Sequence, residues 1–187
     1  MAPPARAAPL PSMPTVMWCP RARVGRTTPT GPKSAVEFPV TGIAPADLEM
    51  TLQHLEKLLP AEARVLYIFF LSADSALVTL RIGRDTSVRD FDLRRVNGAW
   101  KKSEEREARP ANYPSNGIAV VELKKALSEN EGVLPTKEGI LEFRVEAPTT
   151  FSVWTGIRYG PRSGSGKVFE FNKLHGKWQK AAGEGEW

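Results

Sequence analysis

With 187 residues, 41% of them hydrophobic, the chain is long enough to bury a sizeable core as one domain or two small ones. Its net charge of +5 belongs to the first stretch: Arg6, Arg21, Arg23, Arg26 and Lys33 precede the first acidic residue, Glu37, and setting these five aside leaves the remaining basic residues balanced against the 21 acidic ones. A neutral body excludes the distributed field that nonspecific nucleic-acid binding requires, and the lone Cys19 excludes an intrachain disulfide and a cysteine-built zinc cage.

Residues 1–34 carry Pro3, Pro4, Pro9, Pro11 and Pro14 among their arginines and read as a disordered, basic, proline-rich tail. Any nucleic-acid contact falls to this tail. Arginine without acid also fits an organellar transit segment, so import is the alternative to the cytoplasm as the expected location. The most apolar run, 65–71, is of strand length, which predicts no transmembrane segment.

After the tail, Phe38-Pro39-Val40-Thr41-Gly42-Ile43-Ala44 is answered by Tyr113-Pro114-Ser115-Asn116-Gly117-Ile118-Ala119, and the match continues through Leu59-Pro60 with Leu134-Pro135 to Trp100 with Trp178. This predicts an α+β protein made by tandem duplication of a helix plus four-stranded antiparallel sheet unit (αββββ twice): 1–34 a tail, 35–107 the first unit, 108–187 the second.

In the first unit Pro45 suits a first helical turn, Asp47 and Glu49 favour its positive end, and Leu48, Leu52, Leu55 and Leu59 mark one face. Strands are predicted at 64–72, 75–83, 88–95 and 99–103, with Asn97-Gly98 as a hairpin turn. The charged stretch 104–112 reads as a linker. In the second unit Ser115 or Asn116 is the expected helix cap, and His175-Gly176 the matching turn.

Period-two alternation predicts that Leu66, Ile68, Phe70, Val78, Leu80, Ile82, Phe91 and Leu93 pack on the first helix. Leu141, Phe143, Val145, Val153, Ile157, Phe169 and Phe171 do so on the second. The opposite faces differ: Val65, Tyr67, Phe69 and Leu71 form an apolar row in the first unit, where the second has Ile140, Glu142, Arg144 and Glu146. This predicts a first sheet covered on both sides and a second facing water on one.

The stretch 160–167 resembles a phosphate loop in composition but lacks its glycine spacing, its Ser or Thr after Lys167 and a following helix, so a loop between strands is expected. Arg158, Arg162 and Lys167, with Trp154 and Tyr159 nearby, make it a candidate binding edge for an anion or an acidic partner. Tyr67 and Phe69 of the apolar row are the other candidates. His54 and His175 lack a third ligand at metal spacing, Asp90 and Asp92 read as ion-paired beside Arg94, and no nucleophile stands beside a base. No catalytic residue, metal or cofactor is predicted. The expected function is a non-enzymatic interaction or accessory module with a protein partner or a second copy. The alternatives are a small-molecule or anion site between the units, and an assembly subunit anchored by its basic tail.

Overall fold

A computed structural model describes residues 38–83, 87–110 and 116–187. The expectations for the tail, and for Ser115 as a cap, lie outside the described residues. Among the described residues two helices, α1 (Pro45–Leu58) and α2 (Val120–Glu129), accompany eleven strands. In chain order the strands are β1 (Ala63–Ser72), β2 (Ser75–Ile82), β3 (Ser87–Val96), β4 (Ala99–Pro110), β5 (Ile140–Ala147), β6 (Thr150–Thr155), β7 (Ile157–Gly160), β8 (Ser163–Ser165), β9 (Lys167–Leu174), β10 (Lys177–Lys180) and β11 (Gly185–Glu186). No described helix is long and apolar enough to cross a membrane.

The strands overturn the expected tandem of αββββ units. They form one nine-stranded antiparallel sheet in the order β10-β9-β6-β5-β1-β2-β3-β4, with β11 also on β9 and β7–β8 as a separate two-stranded ribbon. The seam is β1 against β5, with Tyr67 opposite Arg144, Ile68 opposite Phe143 and Phe69 opposite Glu142. Had the halves been separate sheets, both strands would present unpaired edges, and pairing them satisfies those backbone groups. The segments before the helices also cross over: Ile43 bridges Ile140 of β5, and Ile118 bridges Val65 of β1. The predicted linker is corrected as well, because β4 continues through it to Pro110.

Both helices lie on one face. Pro45 opens α1 as expected, whereas α2 starts after Ala119 without a side-chain cap, and Asn116 instead accepts a hydrogen bond from Arg81. Beneath the helices an aromatic row crosses the sheet: Trp100, Phe70, Phe143, Phe151 and Phe171, with Trp178 edge-on to Phe151 at 5.2 Å. Each tryptophan is tied to the helix above it, Trp100 Nε1 donating to Thr51 Oγ1 at 3.2 Å and Trp178 Nε1 to Glu122 Oε2 at 3.1 Å.

Two bulges change the predicted faces. The register of β1 slips between Val65 and Tyr67, and that of β5 between Ile140 and Glu142. An extra residue in a strand reverses the alternation on one side of it. Val65 and Ile140, expected outward, therefore join the helix-side core, and Leu141, expected inward, joins the opposite face. Leu66 is buried at the bulge itself, and Ile157 is exposed on β7 rather than packed under α2.

Candidate functional site

The face opposite the helices is where the two halves build one environment. Across the seam, β1 sends out Tyr67 and Phe69, β5 sends out Glu142 and Arg144, and β6 adds Trp154 opposite Glu142. Val40, Phe69 and Leu141 are buried together here, with half-buried Tyr67, Leu71, Leu77 and Trp187 packed around them. The apolar row is thus covered in part by the chain's own Val40 and Trp187, and Tyr67, Leu71 and Leu77 keep partial access to water.

At the centre stands Glu142, whose side chain is 0% exposed. Alternation assigns this position to a water-facing surface, and the structure corrects that: the neighbouring rings enclose the carboxylate. An ion taken out of water must find opposite charge and donors. Tyr67 donates its hydroxyl to Oε2 at 2.6 Å, Arg158 Nη2 approaches the same oxygen at 3.4 Å, and Arg144 Nε lies 2.6 Å from Oε1. The Arg144 approach is an ion pair without hydrogen-bond alignment, so Oε1 has no aligned donor. Burial first, then the adjacent Glu142 carboxylate, pushes the Tyr67 hydroxyl well above the usual tyrosine range.

Aromatic faces hold both guanidiniums. Arg144 lies 4.2 Å from the centre of the Trp154 ring, while Arg158 lies 5.0 Å from Phe69 and 5.6 Å from Trp187. The backbone of β7 places Arg158, since its N–H and C=O exchange hydrogen bonds with Val40 at 2.9 and 2.8 Å.

The glycine-rich stretch proves to be the seat of Trp187. Its residues make the β7–β8 turn, β8 and the start of β9 rather than a plain loop, and a Cβ on Gly164 would collide with the Trp187 ring. Trp187 Nε1 donates to the Thr155 carbonyl at 3.1 Å, and its ring lies 5.4 Å from Trp154.

Of the residues singled out in the sequence, Tyr67, Phe69, Trp154 and Arg158 converge here. Tyr159 is 57% exposed on β7, Arg162 is exposed in the β7–β8 turn, and Lys167 pairs with Glu184 at 3.2 Å. Of the expected cluster of Arg158, Arg162 and Lys167, two are already ion-paired, Arg158 with Glu142 and Lys167 with Glu184. Sequence reasoning missed Glu142, Arg144 and Trp187 as site residues. Its one available signal was a Glu-x-Arg pair on β5 opposite the tyrosine and phenylalanine of β1, and that signal needs the strand pairing to be seen.

No family model, curated protein or solved structure matches this chain.

Other polar groups form structural pairs. Thr79 Oγ1 donates to Asp90 at 2.7 Å, and Asp92 pairs with Arg106 at 2.8 Å rather than with Arg94. Among the described residues no group of three or more His, Cys, Asp or Glu is placed to hold a metal ion. The seam, where a ligand pocket is the alternative expectation, is filled on the helix side by Ile68, Phe70 and Phe143. A shallow depression beside Trp178, lined also by Glu129, Asn130, Lys177 and Gln179, lies at the β10 end of the sheet.

Proposed function

We propose that this protein is a non-enzymatic interaction or accessory module that binds a protein partner through the sheet face opposite its helices. The observation that carries the reading is the half-covered cluster at the seam: Tyr67, Leu71, Leu77 and Trp154 remain partly open to water around a fully buried, doubly ion-paired Glu142. Aromatic rings, arginine and partly exposed aliphatic groups together form the composition from which interface anchors are drawn. A surface whose rotamers are fixed by stacking and ion pairing also loses little entropy when a partner docks.

The test uses Leu71→Lys with Leu77→Lys, two half-buried positions that do not touch the Glu142 ion pairs. Sedimentation and quantitative affinity capture from the host's own extract compare the wild type with the double variant, once both are shown to melt alike. The reading expects a self-associated species or a specific co-purifying protein that the double variant loses. Identical mass and identical captured proteins in the two samples would sink it.

A further inference from the structure

The large sheet is open, and its two end strands are finished differently. At the β10 end, side chains from the close of α2 occupy the outward backbone groups. Trp178 N–H donates to Glu129 Oε2 at 2.7 Å, the Trp178 carbonyl accepts from Asn130 Nδ2 at 3.0 Å, and Lys180 N–H donates to Asn130 Oδ1 at 3.1 Å. β4 ends the other side with 12 residues, and among the described residues no side chain bonds to its backbone. A two-residue turn closes the β3–β4 hairpin at Val96 and Ala99, so the ladder turns the N–H and C=O of Trp100, and again of Lys102, away from β3. Trp178, in the matching place of the β9–β10 hairpin, shows the same outward N–H, already taken by Glu129. An edge left open in this way accepts another β-strand.

The charges of β4 select that strand. Lys101 stands opposite Arg94 and Glu104 opposite Asp92, so each faces its own sign across the hairpin. Arg106 pairs with Asp92 at 2.8 Å, and among the described residues neither Lys101 nor Glu104 forms an ion pair. The extra residue Ser103 leaves both on the face away from the helices, while Lys102 and Glu105, opposite Leu93 and Phe91, lie on the helix side. A second β4 laid antiparallel, about a two-fold axis between residues 102 and 103, sets Lys101 of each copy opposite Glu104 of the other on one face. On the other face it sets Lys102 diagonal to Glu105. A shift by two residues would put Lys101 opposite Arg106 instead, like against like. We propose that the outward edge of β4 pairs with β4 of a second copy in this register, giving a two-fold dimer whose sheet runs unbroken through both molecules. Charged edges turn stray strands away, and this one admits the strand whose charges mirror its own. In the monomer β4 stays an exposed edge. The inference goes beyond the interaction reading above, which concerns the face around Tyr67 and not this edge.

The experiment is sedimentation equilibrium of the full chain from micromolar to millimolar concentration, on wild type, Lys101→Glu, Glu104→Lys and an equimolar mixture of the two variants. Both positions are exposed, so both variants are expected to melt like wild type. Wild type is expected to approach the mass of a dimer reversibly. Either variant alone sets like charges opposite each other at both ends of the contact and is expected to weaken dimerisation about tenfold or more. In the mixture each reversed charge meets its opposite, and the wild-type mass is expected to return. The Leu71→Lys, Leu77→Lys chain is expected to dimerise like wild type, so failure of this proposal and failure of the interaction reading are seen separately. A monomer at every concentration overturns the proposal, as does a dimer that either variant keeps or that the mixture fails to restore. A monomeric chain that captures a different protein, and loses it with Lys102→Pro, would give the edge to a foreign strand and overturn the choice of a second copy.

Discussion

Burying a carboxylate costs several kcal/mol unless opposite charge and donors go in with it, and Glu142 takes Tyr67, Arg144 and Arg158 for that purpose. Removing its charge leaves two guanidiniums facing each other over a neutral amide. Glu142→Gln is therefore expected to lower stability in urea unfolding by about 2–3 kcal/mol, less than a fully buried pair would lose because Arg144 retains water. An unchanged midpoint would show that the carboxylate is not the keystone of the cluster. Tyr67 supplies a second prediction. Its folded hydroxyl ionises above its unfolded value, so the unfolded chain releases that proton first as pH rises. Its contribution to stability is thus complete below about pH 10 and drains away above it. In alkaline absorbance titration, Tyr67→Phe is expected to remove an ionisation that appears only as the protein unfolds. Loss of a reversible ionisation near pH 10 from the folded protein would contradict the burial of Tyr67.

Elements were legible in the sequence where their signal is local. Four leucines at helical spacing and Pro45 mark α1, and Asn97-Gly98 marks the β3–β4 turn, with positive φ at both residues. The bulges at Leu66 and Leu141 were not legible, because neither strand carries a glycine or proline there and the extra residue is an ordinary leucine. A hidden bulge exchanges inside for outside, which is how Leu141 was misplaced. The glycines just before the helices have a role that only the pairing reveals. Gly42 and Gly117 sit at φ 67 and 77 and bring their segments onto the opposite half's first strand. A Cβ on Gly42 would strike the Ile140 carbonyl. Gly42→Ala is expected to cost roughly 2 kcal/mol or more in thermal or urea unfolding, since both the backbone region and the space are refused. A near-neutral result would mean that the crossing segment is loosely held. Gly164→Ala should expel the Trp187 ring, seen as a red-shifted emission and faster amide exchange in β11 with little change in overall stability. An unaltered spectrum would argue against this seat for Trp187.

At the scale of the molecule, the sequence match between the halves suggested two units side by side, and the structure has a single sheet instead. The difference is physical rather than statistical: alternation and turn signals report each strand's own pattern, whereas the choice of neighbour for β1 depends on β5, more than seventy residues away. The candidate site inherits that difficulty, because Tyr67 and Glu142 belong to different halves and meet only across the seam. Because Ile43 and Ile118 each pair with the other half, the stretches 38–110 and 116–187 made as separate chains are expected to show no cooperative unfolding alone and to regain it on mixing. Cooperative folding of either one alone would restore the picture of independent units. The most direct measurement is residue-resolved hydrogen exchange at the β1–β5 seam. A continuous sheet predicts that the β1 amides directed at β5, and their partners on β5, exchange with the slowest class in the protein, near the limit set by global unfolding. Exchange at the rate of exposed edge strands such as β4 would show two sheets lying side by side, and would remove the platform on which the candidate site stands.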